Sequence, residues 1–181
     1  IFNTFFSTSN PEPLIGETVD VQGSFWMIHN VKEMVLFRKD SFIEEIYYPV
    51  GFDLGVNTGF AWADTLPSIF LSMIMDTPGF YNFHVYMICV FSMFSLTLLF
   101  RFIGLPTVLC FTLGILAFFH TFSFYELNSG RPTQISWWPF CLTIVMAYKQ
   151  QIYGFNVKDS ITLGLAYTLS CLTYWFSGAA L

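Results

Sequence analysis

The stretch YNFHVYMICVFSMFSLTLLFRF, residues 81–102, has no charged side chain before Arg101. A helix of about 20 apolar residues is long enough to cross the hydrocarbon core of a bilayer. Three later stretches are also apolar, at 105–124, 135–148 and 160–181. The stretch 135–148 is short and would need its two tryptophans at the membrane interface. The sequence therefore predicts an all-α polytopic membrane protein with about four transmembrane helices in residues 77–181.

Composition supports a membrane location and divides the chain into two parts. Hydrophobic residues make up 55% and charged residues 10% of the 181 residues, whereas an ordinary soluble domain carries about 25% charged residues. Residues 1–76 hold ten of the twelve acidic residues and three of the seven basic ones, so their formal charge is −7 and that of the remainder is +2. An acidic segment repels nucleic acid. We therefore expect membrane lipids, and no nucleic acid, among the partners.

Residues 1–76 are predicted to lie outside the bilayer and to contain two short surface helices. Residues 7–24, rich in Ser, Pro, Gly and acids, are expected to form an exposed loop. Residues 25–37 are predicted to form an amphipathic helix, because apolar side chains recur on one side at Phe25, Ile28, Val31 and Val35. Glycines and a proline in residues 38–60 indicate irregular structure. A second helix is predicted at 64–75, too short to span the bilayer.

The basic residues of the short connections predict the orientation. Arg101, Lys149 and Lys158 fall on one side of the predicted bundle, and the connection 125–134 on the other side has Arg131 as its one base. Lys and Arg in short loops mark the cytoplasmic side of a membrane protein. The N-terminal segment is therefore predicted to be extracytoplasmic.

Two carboxylates in the first loop are candidate catalytic or metal-binding groups. Glu17 and Asp20 are three residues apart, so they could share a divalent metal ion, or one could act as a general base near the membrane surface. Simple solvation is the alternative interpretation. Asp53 and Asp64 flank a glycine-rich loop and allow the same alternatives, and Asp64 also suits the N-cap of the second helix.

The connection YELNSGRPTQISWWPF, residues 125–140, is the densest polar cluster between two predicted spans. The guanidinium of Arg131 suits bidentate binding of a lipid phosphate or pyrophosphate, with Gln134 as a second group. Anchoring to lipid headgroups is the alternative. His120, near the end of the second span, could act as a ligand or proton carrier, or simply bond a neighbouring backbone group.

Two motifs, YPVGFDL at 48–54 and GRPTQISWWP at 130–139, follow the acidic loop in order. In this arrangement residues 17–150 resemble the N-terminal half of bacterial polytopic membrane proteins of the glycosyltransferase-C superfamily, such as the YfhO-like proteins. The resemblance implies a long extracytoplasmic loop with two roughly parallel helices, followed by a series of spans. It also implies sugar transfer from a polyprenyl-phosphate donor, with Asp20, and second to it Glu17, as base or metal ligand, and Arg131 near the lipid phosphate.

Typical members of that superfamily are several times longer, and the donor site normally needs their additional parts. The chain opens with Ile1 and ends at Leu181 within an apolar run, so we expect it to be a piece of a longer polypeptide. The first hypothesis is a non-catalytic, glycosyltransferase-C-like, lipid-binding subunit of a larger complex in the bacterial inner membrane, or a fragment of one, with protein partners in the membrane. The second is a polyprenyl-phosphate-sugar-dependent glycosyltransferase that uses Asp20, with a divalent metal as a candidate cofactor. Transport is a third, less favoured hypothesis.

Overall fold

The computed structural model describes residues 14–16, 19–43, 50–53, 62–75 and 79–173. These residues are mostly helical, which confirms the predicted all-α class. The helices are α1 (Val19–Phe37), α2 (Trp62–Ser72), α3 (Gly79–Phe102), α4 (Thr107–Phe118), α5 (Thr121–Asn128), α6 (Trp138–Tyr153) and α7 (Val157–Thr173). Two antiparallel strands of two residues each, β1 (Phe42–Ile43) and β2 (Phe52–Asp53), form the sheet, and a 3₁₀ turn covers Pro132–Ile135.

Helix α3 is the longest helix in the described part of the chain and its central element. By length and composition it is the one described helix that could cross a membrane alone, and α4 and α5 together pass the same test although a 50° bend separates them. Helices α6 and α7 have 16 and 17 residues, fewer than the roughly 20 that a span needs. Residues 174–181, the end of the fourth predicted span, lie outside the described residues. The described residues thus contain one candidate span, or two if the bent pair is counted, and the four predicted spans stay a prediction.

Helix α1 begins six residues earlier than the predicted helix 25–37, so residues 19–24 are helical and not an exposed loop. The reason is packing, because Val21 is buried and extends the apolar stripe upstream by one turn. The stripe packs against the first turns of α3, at Phe80, Tyr81 and Val85. Val35, which was predicted to belong to the stripe, is 40% exposed.

Helix α2 ends at Ser72, before the predicted boundary at residue 75, and starts at Trp62, so Asp64 lies inside the helix and not at its N-cap. The buried face of α2 is mixed and its outer face is apolar. The helix buries the hydroxyl side chains of Thr65 and Ser68 together with Ile69, and it exposes the large apolar Leu66 and Phe70. An apolar outer face on a short helix is typical of a protein surrounded by lipid or by other apolar subunits.

Helix α6 runs parallel to α3. Its first residue, Trp138, has its ring centroid 6.4 Å from that of Phe91, and further along Tyr148 lies 5.7 Å from Phe102. Helix α7 then returns against α6, since Lys149 Nζ lies 2.8 Å from Asp159 Oδ1 near the connection between them. The C-terminal ends of α3 and α6 and the start of α7 therefore meet at one end of the bundle.

Helix α4 packs antiparallel to α3 through a close backbone approach. A Cβ atom on Gly114 would collide with the side chain of Thr97 on α3. The chain bends after Phe118, and α5 leads into the predicted loop 125–134. That loop prediction was wrong for residues 125–128, which form the last turns of α5, and for 132–134, which lie in the 3₁₀ turn. In place of the predicted span 105–124, the structure has the broken helix pair α4 and α5. In place of the predicted span 135–148, it has α6, which begins and ends a few residues later.

Candidate functional site

A tight turn after α5 brings Arg131 back over Glu126. Gly130 has φ +73°, its N–H donates to Leu127 O at 3.1 Å, and the Arg131 N–H donates to Glu126 O at 2.9 Å. This pair of bonds is the Schellman motif that ends many helices and that favours glycine at the left-handed position. The turn therefore places Arg131 beside α5, the helix that ends just before it.

Arg131 and Glu126 form an ion pair at the end of α5. Arg131 Nη1 lies 3.5 Å from Glu126 Oε2, and the carboxylate side chain is 5% exposed while the guanidinium side chain is 39% exposed. A buried carboxylate needs a partner charge, because transfer of an unpaired charge out of water is costly. Part of the capacity of Arg131 is therefore used within the protein, and the exposed part of its guanidinium faces outward. Sequence reasoning did not single out this pairing.

The turn around Arg131 packs directly against the start of α1. A Cβ atom on Gly130 would collide with the backbone of Val21, and Ser24 Oγ donates to Gly130 O at 2.8 Å. Because Asp20 precedes Val21 in the same helical turn, the backbone of Asp20 lies beside the turn that carries Arg131. The two segments predicted to form one site are thus neighbours in the fold. The side chain of Asp20, and Glu17 as a whole, lie outside the described residues.

Gln134 belongs to the same polar segment through its backbone. Its N–H donates to Arg131 O at 3.1 Å, within the 3₁₀ turn. The turn is fixed to the middle of α3 by Ser92, whose hydroxyl donates to Ile135 O at 3.0 Å and accepts from the Trp137 N–H at 3.0 Å. Ser92 was missed by sequence reasoning, since one serine in an apolar helix carries no signal of its own.

His120 has a structural role. It is the N-cap of α5, and its Nδ1 accepts a hydrogen bond from the Ser123 N–H at 3.0 Å. A helix leaves its first N–H groups without internal partners, and a capping side chain supplies one. The simpler of the two interpretations of His120, a bond to a neighbouring backbone group, is therefore confirmed.

The exposed end of α1 holds a second polar cluster. Lys39 Nζ lies 2.7 Å from Glu33 Oε2, and this hydrogen bond lowers the pKa of the Glu33 carboxyl. Burial lowers the pKa of His29, because the charged ring loses solvation, while the nearby Glu33 carboxylate opposes that effect. Lys32 Nζ donates to Ser72 O at 3.4 Å and so ties α1 to the C-terminus of α2, the end of a helix that attracts positive charge.

Among the residues that the structure describes, no three or more His, Cys, Asp or Glu side chains come together as a metal-binding group. The predicted ligand pair is not covered by that statement, because neither carboxylate is described. Asp53 lies in β2, where its Oδ2 is 3.4 Å from Ser41 Oγ. A divalent metal at Glu17 and Asp20 therefore stays a prediction.

The turn 129–131 is thus held between α1 and α5 by hydrogen bonds and close backbone contacts. It combines a partly exposed guanidinium with a buried carboxylate and a close backbone contact to the first turn of α1. No protein-family model, curated protein or solved structure matches this chain.

Proposed function

We propose that this protein is a non-catalytic, glycosyltransferase-C-like integral membrane subunit of a larger complex, or a piece of such a subunit. The observation that carries the proposal is the apolar outer surface of the helices. In α3 the most apolar 18-residue window is 33% buried inside the structure, and Phe94 on that helix is 59% exposed. Phe111 on α4 and Leu165 on α7 are 62% and 60% exposed. Surfaces of this kind are covered by lipid or by partner subunits.

Hydroxyl side chains on the helix surfaces support the same proposal. Thr112, Thr162 and Thr168 are exposed, yet each donates to the carbonyl oxygen four residues earlier, at 3.1, 2.9 and 2.8 Å. In water these hydroxyls would have solvent partners, whereas in hydrocarbon they need a partner within the helix. The pattern suits helices that face lipid.

The proposal places the protein in a bacterial inner membrane with its N-terminal segment outside the cytoplasm, and the distribution of charge supports that orientation. Arg101, Lys149 and Lys158 gather at the end of the bundle where α3 and α6 finish and α7 starts. Helix α1 packs at the opposite end of α3, near Phe80. Under the proposal, α3, α4, α6 and α7 form the membrane bundle of about four spans, and α1 and α2 cover its outer end.

Detergent extraction followed by native mass spectrometry tests this function. After carbonate washing of membranes, the protein should stay in the membrane pellet. After mild solubilisation, it should elute in constant stoichiometry with other membrane polypeptides and with bound lipid. Recovery of the chain alone, as a monomer from the carbonate supernatant, would contradict both parts of the proposal.

A polyprenyl-phosphate-dependent glycosyltransferase is the second candidate. The contact between Val21 and Gly130 favours it, because it holds the backbone of Asp20 next to the turn of Arg131. In this alternative Asp20 acts as base or metal ligand, while Arg131 and Gln134 bind the lipid phosphate. Sugar transfer from a polyprenyl-phosphate donor that is lost in Asp20→Asn, but retained in Asp40→Asn on the exposed segment after α1, would favour the enzyme over the subunit.

A further inference from the structure

Helix α2 and the turn after it carry large apolar side chains on their outer side. Residues 65–75 contain no charged side chain, and Phe70 and Ile74 are 63% and 83% exposed. On the opposite side, α2 buries the small hydroxyl side chains of Thr65 and Ser68. Helices that pack against each other in a bilayer use small residues at the contact, because these let the backbones approach closely. Large side chains outside and small ones inside therefore favour lipid, and not a partner helix, on the outer side of α2.

The outer side of α2 lies beside the first half of α3. A cleft between the two helices has Phe70 and Ile74 in one wall and Phe83 and Phe91 in the other. Helix α3 has 24 residues and is therefore about 36 Å long, so a hydrocarbon core of about 30 Å centred on it begins about 3 Å below Gly79. Phe83 and Phe91 lie about 6 and 18 Å along the helix from Gly79. The exposed side chains of α2 are thus at hydrocarbon depth if α3 spans the bilayer.

The end of α2 places a positive charge at the level of the first turn of α3. Met75, three residues after α2, has its Cε 3.9 Å from the position of a Cβ atom on Gly79. Lys32 Nζ donates to Ser72 O, at the end of α2, over 3.4 Å. The ammonium group of Lys32 is therefore near the start of α3, where a bilayer centred on that helix has its headgroups. A lysine at this level can bind lipid phosphate while its stem lies along apolar surface.

Two more basic residues, Arg38 and Lys39, follow directly after α1 and are exposed. Lys39 pairs with Glu33 at 2.7 Å, and residues 32–40 together carry three basic and two acidic side chains. Interfacial segments bind phospholipid in this way, with an apolar face on the acyl chains and basic side chains on the phosphate groups. The excess of positive charge beside an apolar face therefore favours phospholipid as the molecule that covers α2.

We infer that α2 lies inside the outer leaflet and that phospholipid covers its exposed side, with acyl chains against Phe70 and Ile74 and phosphate groups near Lys32 and Arg38. The sequence predicted a surface helix outside the bilayer at this place. In the inferred arrangement α2 covers the outer end of the bundle from within the membrane. The inference rests on the proposed membrane placement of α3 and extends it to a helix too short to span.

Nitroxide labels on single cysteines measure the depth of each side chain. In a variant without the four native cysteines, Phe70→Cys, Ile74→Cys, Phe94→Cys and Asp40→Cys would be labelled separately and reconstituted in phospholipid vesicles, with folding checked by circular dichroism. Labels at 70, 74 and 94 should collide often with oxygen, which dissolves in hydrocarbon, and rarely with a water-soluble nickel chelate. The label at 40, on the exposed segment after α1, should show the reverse.

The label at position 94, in the middle of α3, separates failure of this inference from failure of the proposed function. If position 94 shows the lipid pattern while positions 70 and 74 behave like position 40, the inference is overturned and the placement of α3 stands. Labels at 70 and 74 shielded from both reagents would place protein on α2 and would also overturn it. Access of the nickel chelate to position 94 would contradict the membrane placement of α3 itself.

Photo-crosslinking repeats the test with the native cysteines in place. p-Benzoylphenylalanine at position 74 should form phospholipid adducts that mass spectrometry detects, whereas the same residue at position 40 should form none. In vesicles with equal amounts of phosphatidylglycerol and phosphatidylcholine, Lys32→Gln with Arg38→Gln should lower the ratio of the two adducts about fivefold. Lys158→Gln, at the other end of the bundle, should leave that ratio unchanged. Adducts with protein only, or equal ratios in all these variants, would overturn the inference.

Discussion

Replacement of Gly130 by alanine should separate α1 from the turn that carries Arg131. Gly130 has φ +73°, and a residue with a Cβ atom pays about 1 to 2 kcal/mol for a left-handed backbone. The new Cβ would also collide with the backbone of Val21, which cannot rotate away as a side chain can. Relief of that collision would break the 2.8 Å hydrogen bond from Ser24 Oγ to Gly130 O.

The expected loss in unfolding free energy is about 3 to 5 kcal/mol, summed from backbone strain, a steric clash and one hydrogen bond. Gly104→Ala is the matched control, because Gly104 has φ +91° but no atom within 4 Å of an added Cβ. It should lose only the strain, about 1 to 2 kcal/mol. Gly23→Ala, inside α1 and also in open space, should be stabilising by up to about 1 kcal/mol.

Unfolding by SDS titration in mixed micelles, followed by tryptophan fluorescence, measures these differences. Hydrogen exchange adds the location, since the amides of α1 should exchange faster in Gly130→Ala than in Gly104→Ala. Equal losses in the two variants, with unchanged exchange in α1, would refute the contact between α1 and the turn and remove the support for a shared Asp20–Arg131 site.

Three further predictions concern single polar side chains. Ser92→Ala should lower the unfolding free energy by about 1 to 2 kcal/mol, because it removes the two hydrogen bonds of the Ser92 hydroxyl, while the Trp137 N–H still donates to Ile135 O at 2.9 Å. SDS titration measures the loss. Arg131→Gln should lower the free energy of unfolding by about 1 to 3 kcal/mol, which is less than the loss for a fully buried ion pair because the Arg131 side chain is partly exposed. Adding Glu126→Gln to that variant should recover part of the loss in the same assay. The pKa of His29 is lower in the folded protein than the ordinary histidine value of 6.5, so below pH 6.5 the unfolded chain binds more protons than the folded one. The free energy of unfolding should therefore fall as the pH is lowered below 6.5. His29→Gln should flatten the pH dependence of the melting temperature between pH 5.5 and 7.

Each of these has a result that would count against it. Thr112→Val is the control for Ser92, because the Thr112 hydroxyl is exposed and bonds only within its own helix; equal losses would show that the Ser92 bridge adds nothing. If the double variant Glu126→Gln/Arg131→Gln were as unstable as Arg131→Gln alone, the unpaired Glu126 carboxylate would not be the cause of the loss in Arg131→Gln. An unchanged pH profile in His29→Gln would assign the acid sensitivity to other groups.

Patterns within a single helix predicted the structure well. The spacing of Phe25, Ile28 and Val31 located the buried face of α1, because helix periodicity fixes which side chains share a face. The start of α1 was predicted too late, since Val21 becomes a core residue through contacts with distant parts of the chain, the first turns of α3 and Gly130. No local pattern carries that information.

The candidate site also combines features that the local sequence predicted with features that depend on distant contacts. Arg131 could be selected from its residue type and its place between two apolar stretches. Its pairing with Glu126 could not, because the segment was interpreted as a loop, whereas α5 continues to Asn128 and the Schellman turn folds the chain back. The break between α4 and α5 was also missed: both halves are apolar, and the change of direction depends on capping by His120 and on the packing of Phe118 against Ile88 and Ile135.

Cysteine accessibility tests the central claim, an apolar bundle in a membrane with its two polar ends on opposite sides. In a variant without the four native cysteines, Asp40→Cys after α1 and Gln151→Cys in the last turn of α6 would be treated with a membrane-impermeant maleimide in intact spheroplasts. We predict that position 40 reacts at once and that position 151 reacts only after the membrane is permeabilised. Reaction of both positions, or of neither, before permeabilisation would contradict the account.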